Sequence, residues 1–340
     1  MATTNRPRLW LSRPTFDDVV ATLEPHFELT AEAQERQFSS AEVNARLRAC
    51  DAAMAGFTDR IGEAELAGAT RLRFVANLGV GFDNLDLKAL TAHGIGASNT
   101  PGVLDNSVAD FTWALMLAAA RRVGATERWV RNGKWRAPSG FLNWLGQDVS
   151  GHTLGILGMG RIGRAVARRA VGFGMPVLYH NRSKLDAAVE RELNARWVDQ
   201  ATLLRDADVL VLLVPRTPQT HHLVGAAELA LMKPTAVLVN VARGGIVDEA
   251  ALAQALGTGR LAAAGLDVFE HEPVIHPALL ELDNVVLSPH AASATVDTRR
   301  AMARTAADNL LAFFGFGPHA GQPPNLLNPE VLQLPPAKRS

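Results

Sequence analysis

The 340-residue sequence contains a single cysteine, Cys50, so it has no internal disulfide framework. Neither charge is in excess, because 34 Lys and Arg residues balance 34 Asp and Glu residues, and this excludes the basic field typical of nucleic-acid-binding proteins. No uncharged apolar run is long enough to span a membrane, and the N-terminus lacks the apolar core of a signal peptide. We therefore expect a soluble cytoplasmic protein that binds neither nucleic acid nor membranes.

Aromatic residues are also scarce, at 6% of the chain, yet several of them gather in one stretch. These are Trp129, Trp135, Phe141 and Trp144. Large apolar side chains in such a cluster predict an arm that is packed against other apolar side chains. The alternatives are a local satellite core and a contact with a second subunit.

From residue 153 onward, short apolar runs alternate with segments that carry charged and apolar residues at helical spacing. The run Val209–Val214 is apolar throughout, as expected of a strand that is covered on both faces. The alternation predicts a doubly wound parallel sheet. The predicted strands are Leu154–Leu157, Val177–Tyr179, Val209–Val214, Ala236–Val241, Ala263–Val268 and Val285–Ser288.

A second, weaker alternation occupies the first hundred residues, with predicted strands at Arg8–Leu11, Ala52–Gly56, Arg73–Asn77 and Gly94–Ser98. The expected fold class is α/β, with two Rossmann-like or flavodoxin-like domains, parallel sheets and an interdomain cleft that binds ligands. We assign residues 1–100 and 292–340 to a substrate-binding, catalytic domain and residues 101–291 to a dinucleotide-binding Rossmann domain. Residues 320–340, rich in proline and basic at the end, resemble a tail.

The most informative motif is a G-x-G-x-x-G pattern between a strand-like run and the helix-like segment Arg161–Phe173. Its first glycine would allow a tight turn, the second the close approach of a pyrophosphate, and the third close packing of helix and strand. The free amides and the positive dipole end of the helix would then bind the phosphates. We predict a dinucleotide-binding site made of Gly158, Met159, Gly160, Arg161, Ile162 and Gly163.

The end of the next apolar run indicates which dinucleotide binds. An acidic residue there would accept hydrogen bonds from the ribose hydroxyls and favour NAD, but the residues present are Asn181, Arg182 and Ser183. Such neutral and cationic donors suit a 2′-phosphate, which arginine can bind in bidentate fashion. NADP(H) is therefore the predicted cofactor, with NAD(H) possible. The alternative interpretation is a solvated turn with a surface arginine.

Three later segments place polar groups at the carboxyl ends of predicted strands, where open α/β sheets hold their sites. Reduction of a 2-keto acid needs a cation for the carboxylate, and Arg243, next to glycines, is the candidate. It needs an acid to protonate the carbonyl oxygen, which an imidazole suits, and His290 is the candidate. Glu272 would stabilise the charged form of that ring. Taken alone, each of these three residues could have a purely structural role. Together, and in this order after the glycine motif, they indicate a catalytic site. No metal site is predicted.

With these motifs in place, the chain resembles the D-isomer-specific 2-hydroxyacid dehydrogenases over about residues 50–330. The resemblance implies that Arg243 binds substrate, that Glu272 partners His290 and that His290 is the proton donor in reduction. The segments that carry it are 77–86, the glycine motif, 214–220, 240–248, 265–273 and 288–295.

The same resemblance implies further binding positions. Backbone amides around Val80 and Gly81 would hold the substrate carboxylate, and Asp267 would contact the nicotinamide carboxamide. Homodimers are usual in the family, with the aromatic arm at the contact, which favours the subunit interpretation of that arm. Additional cofactor positions implied by the resemblance are Pro215, Thr220, Val241, His290 and Ala292.

Within the family, residues 83–86, the glycine motif and residues 181–183 are similar to the glyoxylate/hydroxypyruvate and 2-ketogluconate reductases. The chain departs from the family pattern at Asp110, at Arg216 and at Ala291-Ala292, where Ile-Gly is usual. The expected function is NADP(H)-preferring reduction of a small 2-keto acid to a D-2-hydroxy acid. Two alternatives stay open: an NAD-linked D-2-hydroxyacid or phosphonate dehydrogenase, and a dinucleotide-sensing scaffold like the corepressors that resemble this family.

Overall fold

A computed structural model describes residues 6–333, which form two compact units. Unit 1 comprises residues 6–104 and 295–333, and unit 2 comprises residues 105–294. The assignment of one unit to the substrate and the other to the dinucleotide stays a prediction. The strands are β1 (Arg8–Leu11), β2 (Glu28–Ala31), β3 (Ala52–Ala55), β4 (Phe74–Asn77), β5 (Gly96–Ser98), β6 (Leu154–Leu157), β7 (Val177–His180), β8 (Ala195–Trp197), β9 (Val209–Leu212), β10 (Val237–Asn240), β11 (Ala263–Leu266) and β12 (Val285–Leu287).

The helices of the described residues alternate with these strands. They are α1 (Asp17–Leu23), α2 (Ser40–Ala49), α3 (Glu63–Leu66), α4 (Leu87–Ala92), α5 (Asp105–Ala120), α6 (Val123–Arg131), α7 (Arg161–Ala170), α8 (Ala187–Glu192), α9 (Gln200–Asp206), α10 (Ala226–Leu231), α11 (Glu249–Gly257), α12 (Pro277–Leu280) and α13 (Val296–Phe313), with 3-10 helices at Val171–Phe173 and Pro329–Gln333. Among residues 6–333, no helix is long and apolar enough to cross a membrane.

Unit 2 is built on a parallel sheet with the strand order β12-β11-β10-β9-β6-β7-β8. Every residue of β6, β9 and β10 is buried, as the uninterrupted apolar runs predict. The strand order changes direction at β6, which pairs with β7 on one side and β9 on the other. The turn that leaves β6 therefore lies at a topological switch point, where open α/β sheets bind ligands.

Unit 1 contains a smaller parallel sheet with the order β2-β1-β3-β4-β5. Helix α13 packs against β4, and the rings of Phe74 and Phe313 stack there at 4.5 Å between centroids. Near the C-terminus, the Leu327 amide donates to the Ala97 carbonyl at 2.7 Å, and Asn328 Oδ1 accepts from the Ala97 amide at 2.8 Å. The expected tail is therefore wrong for residues 325–333, because this segment satisfies backbone groups beside β5; residues 334–340 lie outside the described residues.

The expected α/β fold class with two parallel sheets is confirmed. The predicted strands are present with ends that shift by at most a few residues, as is usual for strand boundaries. Two strands carry no signal in our sequence analysis, β2 and β8, and both lie at an edge of their sheet. An edge strand is partly exposed, so it needs no continuous apolar run; β2 has no buried residue.

Candidate active site

The glycine motif forms the turn between β6 and α7, and two of its glycines are required by packing. Gly158 has φ of +106°, and a methyl group there would lie 2.7 Å from the carbonyl carbon of Leu213. A methyl group on Gly163 would lie 2.5 Å from the carbonyl oxygen of Gly158. These positions bring β6, the start of α7 and the end of β9 closer together than any side chain would permit.

Gly160 differs from the other two glycines because no packing constraint explains it. A methyl group there would meet no atom within 4 Å, and its φ of −81° suits any residue. Gly160 caps α7 without a side-chain hydrogen bond, so the first amides of the helix are open to a ligand. The space above this helix start fits a phosphate, which binds there through amides and the helix dipole. Arg161 is exposed and held by Asp105, with Nε 2.9 Å from Oδ2.

Asn181, at the end of β7, contacts the glycine motif directly. Its Oδ1 accepts from the Met159 amide at 2.7 Å, and Trp197 Nε1 donates to its carbonyl at 3.0 Å. The Asn181 side chain thus holds the turn in place. Arg182 and Ser183 are exposed, and neither makes a hydrogen bond or ion pair with any residue among 6–333.

Arg243 follows β10 in a turn that only glycine permits at the next position. A methyl group on Gly244 would lie 1.7 Å from the carbonyl oxygen of Phe269. The buried Asn240 secures the same turn: its Oδ1 accepts from the Ala242 amide at 3.1 Å, and its Nδ2 donates to the Arg243 carbonyl at 3.0 Å. The half-buried Arg243 therefore extends from a rigid turn against the segment that follows β11.

Glu272 and His290 form an ion pair across neighbouring strand ends. The distance between Glu272 Oε2 and His290 Nδ1 is 2.8 Å, and Glu272 Oε1 accepts from the Phe269 amide at 2.9 Å. Burial acts to raise the pKa of Glu272, but the hydrogen bond and charge of His290 act against it, and the pKa is lowered overall. The Phe269 amide and the Arg243 charge lower the pKa of Glu272 further, so all three predicted catalytic residues lie in one electrostatic neighbourhood.

Asp267 fixes the backbone on which His290 is carried. This carboxylate is fully buried and accepts from the amides of Ala291, at 2.7 Å, and Ala292, at 2.9 Å. The His290 amide donates to the Asp267 carbonyl at 2.8 Å, and His290 takes φ of +55°. Burial raises the pKa of Asp267, against the lowering effect of the amides and of the His290 charge. These contacts give Asp267 a positioning role that sequence reasoning did not assign to it.

Other predicted cofactor positions lie at the same edge of the sheet. Val241 follows β10, and Pro215 and Thr220 belong to the loop after β9, where Thr220 Oγ1 donates to the Pro215 carbonyl at 2.7 Å. The carboxyl ends of β6, β7, β9, β10, β11 and β12 thus carry every predicted site residue of unit 2.

Val80 and Gly81 lie in unit 1, in the loop after β4. Their carbonyls accept from Asn99 Nδ2 and Asn77 Nδ2, each at 2.8 Å. Within residues 6–333, neither the Val80 amide nor the Gly81 amide donates a hydrogen bond. Two adjacent amides in a loop fixed by buried asparagine side chains suit an anionic group.

The chain matches known proteins over nearly its whole length. Residues 113–292 match the family described as "D-isomer specific 2-hydroxyacid dehydrogenase, NAD binding domain". A glyoxylate reductase of Korarchaeum cryptofilum is 46% identical over 97% of this chain and 98% of its own, and one of Aeropyrum pernix is also 46% identical with the same coverage. An NADPH-dependent glyoxylate/hydroxypyruvate reductase of Sinorhizobium meliloti, solved with NADP and malonate, is 37% identical with a TM-score of 0.81 over 92% of this chain and 95% of its own.

The chain belongs to the D-isomer-specific 2-hydroxyacid dehydrogenase family. It is an NAD(P)-dependent 2-hydroxyacid dehydrogenase, and its cofactor is a nicotinamide dinucleotide. The open helix start at Gly160 fits the pyrophosphate of that cofactor.

Replacement of Gly160 by Ala should weaken dinucleotide binding while leaving the stability of the fold nearly unchanged. We expect the free energy of unfolding to fall by no more than about 1 kcal/mol, because the methyl group meets open space and only the helix cap changes. Dinucleotide affinity should fall about tenfold or more, because that methyl group occupies the space for the phosphates. Urea unfolding and fluorescence titration with NADPH measure the two quantities.

Gly163→Ala provides the contrast, since its methyl group overlaps the Gly158 carbonyl and should lower the free energy of unfolding by at least about 2 kcal/mol. Wild-type NADPH affinity in Gly160→Ala would contradict a phosphate site at this turn.

Proposed function

We propose that the protein reduces small 2-keto acids of the glyoxylate and hydroxypyruvate type to D-2-hydroxy acids, with NADPH as its preferred reductant. The observation that carries the proposal is the Glu272–His290 ion pair beside Arg243, at the sheet edge that also bears the glycine motif. The glyoxylate reductases among the relatives support the substrate class.

The division of labour follows from the chemistry of the three side chains. When bound, the nicotinamide dinucleotide supplies the hydride. His290 donates a proton to the carbonyl oxygen of the substrate, and the Glu272 carboxylate stabilises the positive charge that the ring carries before transfer. Arg243 binds and orients the substrate carboxylate through its planar guanidinium. In unit 1, the amides of Val80 and Gly81 are proposed to donate to an anionic group.

Preference for NADPH is proposed from the residues at the end of β7. Asn181 is engaged with the turn, so Arg182 and Ser183 are the groups available to a 2′-phosphate, and no carboxylate occupies residues 181–183 to bind ribose hydroxyls or repel that phosphate. The Sinorhizobium meliloti relative, described as NADPH-dependent and solved with NADP, supports this preference.

Self-association is proposed from the aromatic arm. Beyond α6, Trp135 is 60% exposed and Phe141 96% exposed, with the exposed Leu142 and Leu145 beside Phe141. Trp129 and Trp144 pack edge-to-face, 5.4 Å apart between ring centroids, so part of the arm has its own small core. Apolar side chains left this exposed are typical of an interface, and we propose that a second copy of the chain covers them.

Substitutions of His290 and Arg243 should affect different kinetic constants. His290→Asn should lower kcat about 10²–10⁴-fold, because it removes the proton donor. Arg243→Ala should chiefly raise KM for glyoxylate, about tenfold to a hundredfold, because it removes a charge-assisted contact with the carboxylate. Steady-state kinetics with saturating NADPH measure both effects.

His152→Asn is the matched control, since this exposed histidine precedes β6 and lies outside the proposed site. Circular dichroism verifies that each variant is folded. A folded His290→Asn enzyme with wild-type kcat would overturn the proton-donor role.

Cofactor preference is tested with glyoxylate as the substrate. We expect kcat/KM for NADPH to exceed that for NADH, and Arg182→Ala to raise KM for NADPH about tenfold with little change for NADH. Lys184→Ala is the control, because Lys184 is a neighbouring cation that packs over the Trp197 ring, 5.1 Å from its centroid. A wild-type enzyme that favours NADH would contradict the proposed preference.

The oligomeric state is tested by light scattering coupled to size exclusion. We expect a mass of twice 36.4 kDa for the wild type and a shift toward the monomer for Phe141→Asp, which places a charge in the covered patch. Val171→Asp is the control, since Val171 is 66% exposed in the 3-10 helix after α7 and is not part of the aromatic arm. A monomeric wild type would overturn the proposed dimer.

A further inference from the structure

A cluster of potential metal ligands, which we name the histidine cluster, lies in unit 2 and plays no part in the proposed reduction. It consists of His221, His222 and Glu270, and one ligand atom of each lies within 4.8 Å of the others. The two histidines belong to the loop after β9, and Glu270 follows β11. The sequence does not reveal this set, because nearly fifty residues separate the histidines from the glutamate.

The hydrogen bonds of His221 prepare it to bind a metal. Its Nδ1 lies 3.1 Å from the Gly245 carbonyl, and because a carbonyl only accepts, Nδ1 carries the proton. In the neutral ring, Nε2 then keeps a lone pair that can ligate a metal. Metal-binding histidines usually donate their other ring N–H to a carbonyl or a carboxylate in this way.

His222 lies between two carboxylates. Its Nε2 contacts Glu270 Oε1, and its Nδ1 lies 3.9 Å from Asp248 Oδ2, which is too far for a direct hydrogen bond. An ion ligated by Nε2 and the Glu270 carboxylate would require the ring proton to be on Nδ1, the nitrogen nearer Asp248. The negative charge of Asp248 favours that arrangement.

The backbone around the cluster is fixed independently of any ion. His222 takes φ of +50°, and its amide donates to the Gly245 carbonyl at 2.7 Å. The Glu270 amide donates to Glu249 Oε1 at 2.6 Å. Three segments of the chain are thus held together at the cluster. The carboxylates of Asp248 and Glu270 lie beside His222, and the guanidinium of Arg216 lies near Gly245. The two carboxylates favour a cation.

We propose that the histidine cluster binds a divalent transition-metal ion of the zinc class. Two imidazoles and one carboxylate match the donor set that Zn²⁺ prefers, whereas Mg²⁺ and Ca²⁺ prefer oxygen ligands. With three protein ligands, the fourth position of the tetrahedral ion belongs to water. The ion links the loop after β9 to the segment after β11.

Calorimetric titration of the metal-stripped, full-length protein with ZnCl₂ tests the site. We expect one Zn²⁺ per chain and a higher melting temperature in its presence, because the ion binds the folded state. His221→Ala and Glu270→Gln should each lower Zn²⁺ affinity at least about tenfold, since the loss of a ligand weakens the site. MgCl₂ should produce no comparable heat.

His93→Ala is the matched control. His93 forms a surface pair with Glu63, with Nε2 3.0 Å from Oε1, and no third potential metal ligand lies near this pair among the described residues. It should leave Zn²⁺ affinity unchanged. Absence of stoichiometric binding, unchanged affinity in both ligand variants, or an equal loss in His93→Ala would overturn the proposal. The readout is independent of reductase activity, so failure here leaves the proposed function untouched.

Discussion

The buried carboxylate of Asp267 holds together the part of the molecule that carries the proposed proton donor. By accepting from the amides of Ala291 and Ala292, it ties the segment after β12 to the end of β11. That tie sets the backbone of His290 in a left-handed conformation, and the ring meets Glu272. Without these contacts, a fully buried carboxyl group would lack hydrogen-bond partners, so the geometry and the stability of this edge depend on each other.

Asparagine side chains repeat the same principle at three strand ends. The side chains of Asn77, Asn181 and Asn240 each form a hydrogen bond with the backbone of a loop that carries a proposed binding group. The bonded residues are Gly81, Met159 and Arg243 respectively. An amide can accept and donate at once, and Asn240 uses both groups on its loop, donating to the Arg243 carbonyl and accepting from the Ala242 amide. Loops held in this way place backbone amides and a guanidinium with little motion, which favours binding of small anions.

The sequence predicts the fold well where the chain is buried and poorly where it is not. Apolar runs such as Val209–Val214 identify central strands. The edge strands β2 and β8 could not be predicted, because a partly exposed strand needs no continuous apolar run. The proximity of Arg243, Glu272 and His290 could be predicted because they follow consecutive strands of one sheet. The histidine cluster and the asparagine contacts could not, since they depend on how close separate loops approach. The position of the C-terminal segment beside β5 could not be predicted either, because its hydrogen bonds with Ala97 leave no periodic pattern in the sequence.

The proposed reaction at this edge of the sheet reduces 2-keto acids from one face. The most direct measurement follows NADPH oxidation by the purified protein with glyoxylate and hydroxypyruvate, and then determines the configuration of the glycerate that hydroxypyruvate yields. We expect NADPH oxidation with both acids and a D-configured product. No oxidation across a panel of 2-keto acids with either NADPH or NADH, or an L-configured product, would contradict it.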